Sequence, residues 1–291
     1  MDVLQLPPKV EEKVGLPLPE PWDKDYRQRY HNFAKQFGVD RGSKSWDSAE
    51  FFQQLTTLRL YCDHPALVDQ SQYDLPKQQT SWHDSPKIVH LIGDLKAHLR
   101  SEQGGQIAKA VVFSQWTHFL GIVGVALVKN RIDFEQIDGT CSLQQRKKAL
   151  ARIRQQSNVQ VLLATIGACG VGIDLTCTQK VYLMADNKLL KEPCWNPSVE
   201  SQATDRAYWL GQVCTTRIIC YFIEGSIEVN MIEIQKQKKE LAQRTVRWQG
   251  IRVLLPEYSR RAGRLWVWIG GIPDHSSTGA NQLGLEKRWI C

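Results

Sequence analysis

None of the eight cysteines stands in C-x-x-C spacing. The chain therefore lacks the paired-ligand pattern of a zinc site and the dithiol of a redox centre. Its thiols read as reduced and mostly buried, which fits an intracellular protein. Cys62 and His64 are close together, but no second pair accompanies them, and no metal is expected. No apolar run reaches the roughly 18 residues that a membrane span needs. The N-terminal MDVLQLPPKVEEKVG lacks the apolar core of a signal peptide, so no membrane partner is expected. The 291 residues contain no G-x-x-x-x-G-K-[ST] loop and no acidic box of the DEAH kind. Nothing in the sequence would by itself cradle the β- and γ-phosphates of a nucleotide or hold their Mg²⁺.

What is present suits a globular chain of one or two domains with a sizeable core: 42% hydrophobic and 23% charged residues. The net charge of +7 favours a polyanionic partner without identifying it. Residues 1–21 are Pro-rich, mixed in charge and without periodicity, and read as an extended arm. Residues 21–37 place Trp22, Tyr26, Tyr30 and Phe33 near helical spacing. A second helix is expected from Ser48, as its cap, to Tyr61, with Phe51, Phe52, Leu55, Leu58 and Leu60 as its apolar face and His64-Pro65 as its stop. Residues 70–83 read as a polar linker. Ser85-Pro86 opens a further helix, serine as cap and proline in the first turn. Strands are then expected at 108–113, 132–137, 160–164, 180–184 and 217–223. Helices are expected at 116–129, 143–155 and 227–243. This alternation predicts an α/β fold, a parallel sheet with helices on both faces. Loops at the C-terminal strand ends, after Ser114, Thr165 and Met184, are where its chemistry gathers.

The informative stretch is 161–212. VLLATIGACGVGIDLT runs from a buried strand into a loop with Gly167, Gly170 and Gly172, and small residues after a strand let backbone N–H groups approach phosphate oxygens. About thirty residues on, NPSVESQATDRAYWLGQ predicts a short helix after Pro197, with Gln202 and Arg206 one turn apart on one face. An arginine fork there suits a phosphate that gains charge in a transition state. Taken singly, these residues have plainer readings: Arg206 as an ion-pair partner of Asp205 or Glu200, Asp174 as a loop cap, Trp116 as core packing. The basic helix 146–154 (Arg146, Lys147, Lys148, Arg152, Arg154) reads as a solvated face, with DNA steering as the sharper alternative.

The two segments together resemble motifs V and VI of the Swi/Snf-type DNA translocases of helicase superfamily two, in the branch linked to DNA repair and transcription termination. VVFSQWT (111–117) resembles motif IV, QIDGTCSLQQRKKAL (136–150) the segment after it, and LTTLRLYCDHPAL (55–67) the bridge between the family's two RecA-like lobes. The likeness covers about residues 47–243. It implies a RecA-like C-terminal lobe at 85–243, an N-terminal arm and helical inter-lobe bridge at 1–84, and a basic, Trp-rich tail at 244–291. It implies that Arg206 reaches the γ-phosphate, that Gln202 helps to position it, and that Gly170, Gly172 and Asp174 lie at the nucleotide, Asp174 near the sugar. Ser114, Gln115, Trp116 and Thr165 would line the track for duplex DNA, reading backbone and not bases. ATP and Mg²⁺ would act only together with a separate N-terminal ATPase lobe, and a nuclear location follows from the family.

The sequence departs from the family in five places. Lobe one is missing apart from the bridge. The second arginine of motif VI is Trp209, and an indole cannot replace a guanidinium fork; a lost arginine finger costs about 10³ to 10⁵ in rate. The basic residue of motif V is Gly167, and one of its glycines is Cys169. Residues 185–191 intervene before Glu192-Pro193. The RING cysteines common in this branch are absent. The reading is a C-terminal helicase lobe of an ATP-dependent DNA translocase, for chromatin remodelling or DNA repair, that hydrolyses no ATP alone. The alternatives are a non-enzymatic DNA- or protein-binding module, or a truncated or degenerate gene product. The tail, with four of the ten tryptophans, reads as an extension foreign to the family in preference to a stacking surface for single strands.

Overall fold

The computed structural model of the chain describes residues 7–37, 47–68, 81–100, 107–169, 173–184, 206–208, 212 and 214–246. Its centre is a six-stranded sheet in which every pairing is parallel. The strands are β1 (Lys9–Leu16), β2 (Ala110–Ser114), β3 (Phe134–Ile137), β4 (Val161–Thr165), β5 (Lys180–Leu183) and β6 (Thr216–Ile223). They lie in the order β1-β6-β5-β2-β4-β3. The helices are α1 (Trp22–Phe37), α2 (Ser48–Asp63), α3 (Pro86–Leu99), α4 (Thr117–Lys129), α5 (Leu143–Gln155) and α6 (Ile227–Val246).

Alternation along the strands divides the core in two, since successive side chains leave a sheet on opposite faces. Ala110, Val112, Val161, Leu163, Tyr182, Ile219 and Tyr221 face α1 to α4. Val111, Phe113, Leu162, Ala164, Val181, Leu183, Ile218 and Cys220 face Ala149 and Ile153 of α5 and the segments that follow β4. The near-continuous apolar runs in β2 and β4, buried at every position, are what a doubly covered parallel sheet requires.

Helix ends follow the local chemistry. Ser85 Oγ accepts from Ile88 N with Pro86 in the first turn, as expected. Helix α5 spans the expected residues and carries a capping box: Ser142 Oγ accepts from Gln145 N, and Gln145 Oε1 accepts from Ser142 N at 2.8 Å.

Three expectations need correction. The N-terminal arm is not a separate extension: Lys9–Leu16 pairs residue for residue with Thr216–Ile223 as an edge strand of the lobe's own sheet. Its sequence, KVEEKVGL, hid this because an edge strand carries charge where a central one cannot. The cap of α2 is Asp47, whose carboxylate accepts from Ala49 N at 2.8 Å, and Ser48 is the first helical residue. The inner face of α2 is Phe51, Leu55, Leu58, Arg59 and Cys62, whereas Phe52 is exposed. Among the described residues, no helix is long and apolar enough to cross a membrane.

Candidate functional site

The C-terminal ends of β2 and β4 bring the two predicted track segments together. Ser114 and Thr165 are direct partners across the β2–β4 pairing, and Met184 N donates to Phe113 O at 3.0 Å, which seats the end of β5 beside them. Strand β2 lies between β5 and β4 and is consecutive in the chain with neither, so these strand ends flank the point where the winding of the sheet changes direction. In such sheets that point is the crevice used for ligands.

Ser114 is fully buried, and its Oγ accepts from Trp116 N at 3.1 Å. It shapes the turn that carries Gln115 and Trp116. Gln115 and Trp116 are half-buried above it. Gln115 Oε1 accepts from Arg59 Nη2 at 3.1 Å, and the Arg59 guanidinium lies 5.8 Å from the Trp116 ring centre. Trp116 also packs on the main core, so its plainer reading holds for part of the ring. Thr165 is buried at 8% exposure. Beyond it the chain turns through a short 3-10 segment, Ile166–Cys169, in which Gly167 is exposed.

The motif V and motif VI segments meet at their backbones: Leu175 N donates to Arg206 O at 2.9 Å. Asp174, just before Leu175, accepts from Thr176 N at 3.0 Å and from Thr176 Oγ1 at 2.8 Å. It also pairs with Arg154 Nη2 at 3.0 Å. Partial burial pulls this carboxyl upward, but the bonds from Thr176 and the charge of Arg154 outweigh it and hold the group below the usual carboxylate range. Asp174 is thus the cap of its own loop, the plainer of its two sequence readings, and sits where α5, motif V and motif VI converge. Gln202, Gly170 and Gly172 lie outside the described residues, as do Trp209, the helix expected after Pro197, the segment 185–191 and the tail from 247 onward.

Several contacts that build this site were not read from the sequence. Gln212 is buried and donates to Ala207 O at 2.9 Å and to Thr178 O at 3.1 Å, stapling motif VI onto the turn after Leu175. Arg146 donates to Cys141 O, Asp138 O and Ala168 O at 3.1–3.3 Å, which ties α5 to the 3-10 turn after β4. Arg152 pairs with Glu135. Of the basic helix, Lys147, Lys148, Arg152 and Arg154 are exposed and match the reading of a solvated face, although Arg152 and Arg154 are also ion-paired; Arg146 is the half-buried exception. Lys87 is fully buried between Asp63 and Glu228, at 2.8 and 2.6 Å. For Lys87 a signal was available: a charged side chain at a position that helical periodicity, with Leu91 and Leu95, assigns to the interior.

No group of three or more His, Cys, Asp and Glu side chains that could hold a metal ion occurs among the described residues.

Residues 89–211 match the helicase conserved C-terminal domain. DNA repair protein RAD5A of Arabidopsis thaliana is 35% identical over 170 residues, 58% of this chain but 15% of that protein. The chain therefore spans a small part of the curated relatives it matches. Among solved structures, the C-terminal part of the Fun30 ATPase domain superposes with a TM-score of 0.61 at 20% identity, over 78% of this chain and 88% of that one. The SWI2/SNF2 ATPase core of Sulfolobus solfataricus in complex with double-stranded DNA gives 0.62 at 20% identity, over 80% of this chain and 45% of that one. At such identities these structures speak to the fold, and they share the RecA-like parallel sheet described above. Family match, repair-protein relatives and fold agree on this part of the chain: residues 89–211 carry a helicase conserved C-terminal domain, similar in sequence to DNA repair proteins of the RAD5 type and in fold to the C-terminal lobe of SWI2/SNF2 ATPases.

Proposed function

We propose that this lobe provides the second half of an ATP-driven translocase on duplex DNA, acting in DNA repair or chromatin remodelling in the nucleus. The observation that carries the reading is the convergence at the C-terminal strand ends. Ser114 and Thr165 pair there with Gln115 and Trp116 above them, and the Arg206 backbone is bonded to the loop of Asp174 nearby. On this reading Gln115, Trp116 and the Thr165 turn follow the phosphates of one DNA strand. Arg206 serves the γ-phosphate of ATP held by a separate N-terminal lobe, and Gln202, Gly170 and Gly172, which lie outside the described residues, are assigned to the same nucleotide. Bound ATP supplies the energy of its phosphoanhydride bond, and the second lobe supplies positive charge at the transferring phosphoryl group.

The same reading makes the chain inactive by itself. With no phosphate-binding loop in its sequence and no metal-ligand set among the described residues, it has nothing to orient the triphosphate or neutralise it. The test is ATP turnover by the purified chain with and without duplex DNA, alongside DNA binding measured across salt concentrations. The expected result is no turnover, and DNA affinity that falls steeply with salt, as phosphate contacts require. DNA-stimulated turnover abolished by Arg206→Ala would overturn the claim of inactivity. Absence of any salt-dependent DNA binding would favour a protein-binding module instead.

A further inference from the structure

Arg59 is buried on α2 at 3% exposure, among Phe51, Leu55, Leu58, Tyr61 and Cys62, with the buried Asp63 one turn further on. A buried guanidinium is costly unless its fork is used. Here the fork reaches across to the turn after β2. Nη2 donates to Gln115 Oε1 at 3.1 Å, and the guanidinium carbon lies 5.8 Å from the Trp116 ring centre. One side chain of the bridge thus touches both residues that stand above Ser114. The geometry uses both properties of the group, in-plane donation to an amide and a planar cationic face near an indole.

The other end of the connection is fixed. Asp63 lies one turn further along α2 and feels the charge of Arg59. Asp63 Oδ1 accepts from Lys87 Nζ at 2.8 Å, and the same Nζ donates to Glu228 Oε1 at 2.6 Å and to Met184 O at 2.8 Å. Helix α2 is thereby clamped to α3, to α6 and to the end of β5. Any shift of α2 along the sheet must break either this clamp or the contact with Gln115.

We propose that Arg59 is a positioning residue for the DNA track: it acts through Gln115 and Trp116, so that the inter-lobe bridge sets how the lobe holds DNA. The inference rests on the reading of Gln115 and Trp116 as DNA-facing. It implies that a lysine at this place fails, since an ammonium cannot donate to the amide and present a planar face to the indole together.

The experiment uses the full chain, a fluorescent duplex DNA as probe, and [15N]tryptophan labelling with the Trp116 indole resonance assigned by Trp116→Phe. Gln115→Ala is expected to weaken DNA binding by about fivefold, the order expected for one hydrogen bond. Arg59→Lys is expected to weaken it by a similar factor and to move the Trp116 indole resonance while the other indole signals stay in place. The double variant Arg59→Lys/Gln115→Ala is expected to lose less than the two single losses combined, because both changes remove the Arg59–Gln115 connection. If Gln115→Ala weakens binding and Arg59→Lys does not, or if the two losses add, the positioning role is overturned while the DNA reading stands. If neither Gln115→Ala nor Trp116→Phe changes binding, the DNA reading falls and this inference with it. Should the lysine variant not fold, Arg59→Met keeps the buried stem, and the same outcomes apply.

Discussion

Lys87 and Asp63 form an ion pair at 2.8 Å in which the two side chains are 0% and 1% exposed. Burial alone would drive the ammonium to lose its proton, but the charges of Asp63 and Glu228 more than offset this and hold Lys87 above its ordinary value. Both carboxyls are pushed upward, chiefly by burial and in spite of Lys87. Four segments, α2, α3, α6 and the end of β5, meet at this one nitrogen. A buried pair of this kind adds little over a well-packed apolar substitute, yet removing one partner is expensive because the other charge stays behind.

Lys87→Met is therefore expected to cost about 3–5 kcal/mol of stability near neutral pH. The loss should shrink as pH falls. Without Lys87 the two carboxyls ionise only well above their unfolded values of about 4. Groups raised in the folded state give stability that is present below the unfolded value and lost as pH rises through the folded one. Urea unfolding of wild type and variant at several pH values between neutral and mildly acidic checks both the size and the slope. A pH-independent loss would mean that the carboxyls are not the source.

His64 sets a second pH dependence with a different window. Its Nδ1 accepts from Ala66 N and its Nε2 reaches Ser81 O, both at 3.1 Å, so the neutral ring carries its proton on Nε2. Burial is the main cause that lowers its affinity for a proton, and the bond to Ser81 O opposes this only in part. A histidine depressed in the folded state gives stability that is present above its unfolded value, about 6.5, and lost as pH falls through the folded one. His64→Gln should flatten the stability profile just below pH ~6.5 at some cost in absolute stability. A thermal-melt series of both proteins across that window decides it. An unchanged slope would mean that another group titrates there.

The order of strands and helices was legible because apolar runs and helical stripes leave no second interpretation: Val161–Thr165 is buried at every position, and α5 runs over the expected residues. Ser114 and Thr165 were both placed at strand ends, but that their strands are neighbours was not read from the sequence. The edge strand β1 was not legible, since its alternation of Val, Glu and Lys records partial burial and one-sided pairing. Nor were the long-range polar contacts. Arg59 and Gln115 are 56 positions apart, and Lys87 and Glu228 are 141 apart. Pattern along the chain reports which face of an element is buried, but not which distant charge it meets. A charged residue inside an apolar stripe, as with Lys87, is the trace that such a contact leaves.

Division of labour within the basic helix α5 gives a third prediction. Arg146 is committed to three carbonyls, Arg152 to Glu135 and Arg154 to the Asp174 loop, while Lys147 and Lys148 are exposed. Lys147→Ala/Lys148→Ala is expected to leave the melting temperature within a few degrees. It should also reduce the salt slope of DNA binding, by up to about one unit for each phosphate that is no longer neutralised. Arg146→Ala should instead cost roughly 1–3 kcal/mol, because it strips the charged donor from buried and half-buried carbonyls. If Arg146→Ala lowers DNA affinity with no loss of stability, the assignment is reversed.

The last prediction concerns a gain of function at Gly167. This residue stands where the family carries a basic side chain, in the turn that follows Thr165, and it is exposed. A Cβ built on it meets no atom within 4 Å, and its backbone lies outside the left-handed region that favours glycine. A longer side chain therefore needs no rearrangement. Replacing glycine at a compatible position also narrows the unfolded ensemble, by about 0.4–1 kcal/mol in favour of the fold. Gly167→Lys should thus be neutral or stabilising, and on the proposed reading its ammonium meets a phosphate of the DNA strand that passes Gln115 and Trp116. Neutralising one more phosphate steepens the plot of log affinity against log salt by about 0.9. The measurement is that slope, for wild type and Gly167→Lys on the same duplex, with Gly167→Ala to separate charge from backbone stiffening. A steeper slope in the lysine variant alone places the 3-10 turn against DNA. Equal slopes in all three proteins would remove motif V from the track and leave the turn after Ser114 as its remaining support.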